Sequence, residues 1–143
     1  VPEELQSLTE SQKLTILCAQ LADDKLASNV FVLDLRKLDS APSEYFVIAS
    51  CDSVNQVHAI VSLILENCTK YQLVKPKIEG YEAGEWVILD FFDVVIHLML
   101  AENRNFYKIE KLWGDSEMYT IDTEGDMHPI ELAKAVEIYN LEQ

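Results

Sequence analysis

Apolar positions along this chain fall into two periods. Leu14, Leu17, Cys18, Leu21 and Ala22 recur at helical spacing and predict an amphipathic helix over Leu5 to Asp23. Thr9 or Ser7 can cap its start, with Gln12 or Glu10 three residues on. Val30–Leu35 and Tyr45–Ser50 are short runs rich in Val, Ile, Leu and aromatics, and they predict strands. Lys37 to Glu44 is a polar connection whose Pro42 argues against a central strand. Ser53 then opens a helix, with Gln56 completing a capping box. Its apolar stripe is Val54, Val57, Val61, Ile64, Leu65 and Cys68, and it ends near Lys70. A strand is expected near Lys75–Glu79, giving a βαβ-like arrangement.

Two further runs, Trp86–Leu89 and Val94–Leu100, carry the strongest strand signal. Neither alternates cleanly, so both are expected to be covered on two faces for most of their length. Only Asp90, Phe91, Phe92 and Asp93 separate them, too short a link for a parallel crossover, so they form an antiparallel hairpin. Phe106, Ile109, Glu110 and Trp113 then fall on one helical stripe, with Gly114 as the stop. Beyond it, Met118–Ile121 suggests a short strand, Asp122 to Asp126 a turn, and Pro129 the first turn of a last helix through Asn140. The fold class is α/β: a mixed, about five-stranded sheet with packed helices, a βαβ unit followed by a hairpin and a helix. The division expected is a domain over residues 1–116 and a C-terminal extension over 117–143.

Charge narrows the function. Eleven basic residues face twenty-five acidic ones, for a net charge of −14, and there is no basic run. Such a surface repels a nucleic-acid backbone, so direct binding of RNA or DNA is not expected. A basic protein is the better partner, and solubility is the other reading of the same charge. No apolar run is long enough to span a membrane, and Val1 opens an acidic segment without a signal-peptide layout. Cys18, Cys51 and Cys68 share no short spacing, which favours a reducing compartment over a zinc site.

No G-x-S-x-G, G-x-G-x-x-G or Walker pattern occurs. His58, His97 and His128 lie in different elements. His97 sits inside an apolar strand and reads as a hydrogen-bonded core residue rather than a ligand. Asp23-Asp24-Lys25 reads as a solvated helix end, and Asp90 and Asp93 as a polar turn. No metal or cofactor is expected. Trp86 should share a sheet face with Ile88 and Asp90. Phe91 and Phe92 are aromatics at a turn, which fits a contact surface and a fold back onto the core equally.

The stretch from Leu14 to Asp115 resembles the ribosomal silencing factors, the Iojap-like family. Gly84, Trp86, Asp90, Phe91, Asp93, Val94 and His97 match its G-x-W…D…D-V…H pattern. Arg104, Phe106, Tyr107, Ile109, Glu110, Leu112 and Trp113 match R-x-F-Y-x-I-E-x-L-W. Asp23-Asp24-Lys25 and Tyr45-Phe46-Val47-Ile48 match two earlier segments. Two departures stand out: Phe92 replaces the family's hairpin glycine, and Ser50-Cys51 replaces its Ser-Gly. The resemblance implies a nucleotidyltransferase-like fold without the metal-bearing carboxylates of those enzymes. It implies a non-enzymatic repressor that binds the large ribosomal subunit through large-subunit ribosomal protein fourteen, a basic barrel, and blocks subunit joining. A homodimer is possible. Trp86, Asp90, Phe91, Phe92 and Asp93 are then the expected partner-binding residues. The alternatives are a divergent nucleotidyltransferase and a homodimeric adaptor unrelated to ribosomes.

Overall fold

The computed structural model describes residues 8–141. In chain order the elements are α1 (Glu10–Asp24), β1 (Ser28–Asp34), β2 (Tyr45–Cys51), α2 (Val54–Lys70), β3 (Lys77–Glu79), β4 (Trp86–Asp90) and β5 (Val94–Leu100). They continue as α3 (Ala101–Tyr107), a 3₁₀ turn (Ile109–Trp113), β6 (Glu117–Ile121), β7 (Met127–Ile130) and α4 (Leu132–Leu141). The strands form one sheet of seven in the order β3-β4-β5-β2-β1-β6-β7. About five were expected; β6 and β7 make the difference, because residues 117–130 extend the same sheet by pairing β6 with β1. The mixed α/β class is borne out, and the nucleotidyltransferase-like label is not confirmed by it.

Only β2 and β5 pair in parallel; the other neighbours are antiparallel. The β4–β5 hairpin forms as expected, with Trp86 opposite Met99 and Ile88 opposite His97. β3 runs in the same sense as β2 but lies at the sheet edge, with β4 and β5 between them. The crossover through α2 therefore skips two positions.

Both expected caps are present on the helices. Thr9 accepts from the Gln12 backbone N–H, and the Gln12 side chain returns to the Thr9 N–H at 2.8 Å, closing a capping box. Ser53 accepts from the Gln56 N–H at 3.1 Å, but the Gln56 side chain reaches one residue further back, to the Asp52 N–H at 2.6 Å. Leu5–Ser7, expected in the first helix, lie outside the described residues.

Alternation along the strands divides the core in two. One face presents Val32, Val47, Ala49, Val87, Leu89, Ile96 and Leu98 to Cys18, Ala22, Val57, Ile60, Val61 and Ile64 of α1 and α2. The other presents Phe31, Leu33, Phe46, Ile48 and Met99, covered by Ile109, Trp113, Leu132 and Ala135. Cys18, Cys51 and Cys68 are free and buried. Burial pushes the Cys51 thiol up to about 12, and the Cys18 thiol higher still.

The segment after β5 corrects two expectations. A single helix through Trp113 does not form. α3 starts directly at the end of β5, so Arg104 takes the inward position, and Lys108 enters the left-handed region (φ 46°). The chain then continues as a 3₁₀ turn that buries Ile109 and Glu110. Phe106, expected on the buried stripe, is 79% exposed. Pro129 does not open the last helix. It sits in β7 at the sheet edge, where a residue without an N–H is tolerated, and the helix starts at Leu132.

Candidate functional site

The second sheet face is covered unevenly. The 3₁₀ turn and α4 pack over β1, β2 and β6, because Lys108 redirects the chain that way. Over β4 and β5 the cover stops, leaving Trp86, Ile88 and Val95 half-buried. Gly80 helps to set the entry to β4. Its φ is 78°, and a Cβ there would collide with the Trp86 carbonyl.

A row of rings crosses this face. Trp113 meets Phe46 with centroids 5.9 Å apart, and Phe46 meets His97 at 4.7 Å. His97 lies 6.0 Å from Trp86, Trp86 lies 5.0 Å from Tyr107, and Tyr107 lies 5.0 Å from Phe106. Exposure rises along it, from buried Phe46 to half-exposed Tyr107 and open Phe106. The Trp86 Nε1–H donates to His97 Nδ1 at 3.1 Å. A nitrogen that accepts carries no proton, so the neutral imidazole holds its own proton on Nε2. That atom is buried and meets no acceptor among the described residues. Burial, reinforced by the Arg104 charge, lowers the His97 pKa to about 4. The expectation of a hydrogen-bonded core histidine holds, through the bond from Trp86.

Beneath the row lies an ion pair. Arg104 and Glu110 are both buried, with Nε 3.3 Å from Oε1. Arg104 Nη1 also donates to the Asn29 carbonyl and to Ser50 Oγ (3.0 Å), and the guanidinium lies 4.9 Å over the Phe31 ring. Burial raises the Glu110 pKa, and Arg104 pulls it back. The pair ties α3 and the 3₁₀ turn to β1 and β2, so its role is structural.

The expected partner-binding residues are not gathered in one cluster. Trp86 and Asp90 share a face, as expected, but lie at opposite ends of β4, about 13 Å apart along the strand. Phe91 turns to the other side and packs on the core under α1 and α2. Phe92 is 83% exposed at the tip, with φ 77°. The Asp93 N–H donates to the Phe91 carbonyl at 3.1 Å, so Phe92 is the middle residue of a three-residue γ-turn of positive φ, a rare and strained form. Asp90 Oδ1 braces it by accepting from the Phe92 N–H at 2.7 Å. The Asp93 carbonyl accepts from the Glu44 and Tyr45 N–H groups, fixing the tip to the start of β2.

Among the described residues no three His, Cys, Asp or Glu side chains are placed to hold a metal ion, and no helix is long and apolar enough to cross a membrane. His58 lies off the buried stripe of α2, with Nε2 2.7 Å from the Tyr81 carbonyl.

Comparison with known proteins decides the family. The model described as "Ribosomal silencing factor during starvation" matches residues 8–141. The chain belongs to this family. The ribosomal silencing factor of Bacillus subtilis is 34% identical over 106 residues, which is 74% of this chain and 89% of that one. A mouse protein named for mitochondrial assembly of the large ribosomal subunit is 42% identical over 76 residues, 50% of this chain and 32% of its own length. A crystal structure of a Chromobacterium violaceum protein superposes with a TM-score of 0.69 at 34% identity, covering 74% of this chain and 88% of that one. The family match extends past Asp115 across β6, β7 and α4, a region with no motif legible in the sequence.

Sequence reasoning missed the exposed half of the ring row. Tyr107 and Phe106 are part of the family motif, but a continuous helix would have turned Phe106 inward. The signal would have been Lys108, whose left-handed conformation has no mark in the residue type.

Proposed function

We propose that this ribosomal silencing factor represses translation by occupying a surface of the large ribosomal subunit, with large-subunit ribosomal protein fourteen as its partner and the cytoplasm as its place of action. Binding there blocks joining of the small subunit sterically, and no bond is made or broken. The observation that carries this reading is the uncovered β4–β5 face with half-buried Trp86 at one end of it. Aromatic anchors in well-packed surroundings dominate protein interfaces. Ile88 and Tyr107 flank Trp86, and Val95, Asp90 and the exposed Phe92 lie further along the hairpin, within reach of the same interface, which covers about 800 Å² per partner in stable complexes. Phe91 and Asp93 contribute by shaping the tip. The net charge of −14 complements a basic ribosomal protein and speeds the encounter.

A sucrose-gradient profile tests the reading: the chain should travel with large subunits. Trp86→Ala should shift it to the top of the gradient while its circular dichroism spectrum stays that of the parent. Undiminished co-sedimentation of the variant would remove Trp86 from the contact.

A further inference from the structure

At the open end of the ring row the surface turns into a recess with its own chemistry. Glu85, Glu102, Asn103, Phe106 and Tyr107 line an open cavity of about 410 Å³. Glu85 directly precedes Trp86, and Glu102 lies in the first turn of α3, so strand and helix each bring one carboxylate to the rim. Both are exposed, and among the described residues neither forms an ion pair within the chain. No lining residue is basic. Tyr107 stands between Trp86 and Phe106, with centroids 5.0 Å from each, and meets Phe106 edge to face at 84°. The aromatic wall is thus set by packing before a partner arrives.

The geometry points to a receptor for an arginine side chain of the partner protein, resting on the reading of the Trp86 face as the contact with the large subunit. Carboxylates and ring faces both favour a cation, the first by charge and the second through the ring quadrupole. A planar guanidinium satisfies both, since it stacks on a ring while its N–H fork engages carboxylates. A lysine ammonium is a compact, strongly hydrated charge and uses the rings less well. The overall charge of −14 adds the long-range attraction that draws a basic surface to this face. Cover by the partner would exclude water and strengthen each of these contacts.

The test pairs two double variants of the full chain with the same charge change. Glu85→Gln with Glu102→Gln neutralises the recess. Glu66→Gln with Glu124→Gln neutralises exposed positions on α2 and in the β6–β7 turn. Affinity for purified large subunits is measured over a salt series, with thermal unfolding as the control for folding. The recess variant should bind about tenfold more weakly or worse, with a flatter salt dependence, and the control variant should bind like the parent. Equal loss in both pairs would reduce the effect to net charge, and no loss in either would remove the recess from the contact; both overturn the receptor. If the parent binds and Trp86→Ala weakens it but the recess variant does not, only the receptor falls. If the parent itself fails to travel with large subunits, the functional reading falls and the receptor with it. Self-association abolished by the recess variant while subunit binding is unchanged would give the recess to a second copy and overturn the proposal. Short arginine peptides should compete at lower concentration than lysine peptides of equal charge, and equal competition would overturn the choice of arginine.

Discussion

The Trp86 indole N–H and the His97 imidazole are joined diagonally across the β4–β5 ladder, Nε1 to Nδ1, at 3.1 Å. The bond holds a contact residue by a buried one. Trp86→Phe keeps a ring in place but leaves His97 Nδ1 without its donor. The cost expected is about 1–2 kcal/mol, the usual penalty for a buried acceptor left unsatisfied. Urea denaturation reads it directly, and a midpoint equal to the parent's would show that the bond contributes nothing.

His97 also makes stability depend on pH. Its folded pKa is depressed, from 6.5 to about 4, chiefly by burial. The unfolded chain therefore takes up this proton first on acidification. The contribution is full above pH 6.5, shrinks by about 1.4 kcal/mol per pH unit below that, and is gone once pH falls through about 4. Glu110 works in the opposite sense: its raised pKa makes its contribution greatest at low pH and lost as pH rises through the folded value. Asp34, held low chiefly by its hydrogen bond with Arg36, adds a further loss in more acid solution. His97→Phe removes only the first effect. The difference in unfolding free energy between parent and variant should narrow from neutral pH to about pH 5. A constant difference would contradict the buried, neutral histidine.

Arg104 and Glu110 give a coupling prediction. Arg104→Met strands a buried carboxylate and two oxygen acceptors, and should cost about 3–5 kcal/mol. Adding Glu110→Leu to that variant should recover a large part of the loss, since the stranded charge is gone. Arg104→Lys should not substitute, because an ammonium cannot reproduce the planar fork. A double-mutant cycle in urea measures the coupling, and additive effects would refute it.

Phe92 lies in a backbone conformation that glycine adopts freely. Phe92→Gly should relieve strain of about 1 kcal/mol and raise the urea midpoint, less the entropy that glycine adds to the unfolded chain. A lower midpoint would mean that the exposed ring makes stabilising contacts in solution.

Much of this fold could be read from residue order because its signals are local. Val94–Leu100 is bounded as expected, since three successive β-branched residues open it and the short link to β4 demands a hairpin. Ser53 marked its helix start by cap chemistry, and Thr9, one of two candidates, caps the first helix. What failed was settled by distant contacts. Phe106 faces solvent because Arg104, two residues earlier, is drawn inward by Glu110, Asn29 and Ser50. Pro129 reads as a helix start until β6 is present to pair with it. Trp86, Ile88 and Asp90 were placed on one face by alternation alone. That Phe91 leaves this face, and that Tyr107 joins it, depends on the turn at the tip and the break at Lys108.

The sheet's two margins limit how the molecule can be gripped. One is β3, three residues long with Lys77 and Glu79 exposed; the other is β7, interrupted by Pro129. Neither presents a run of free backbone donors and acceptors long enough to template a foreign strand. Recognition by main-chain zippering is closed off at both ends, and so is edge-to-edge polymerisation. A partner must read this protein through its side chains, broadside.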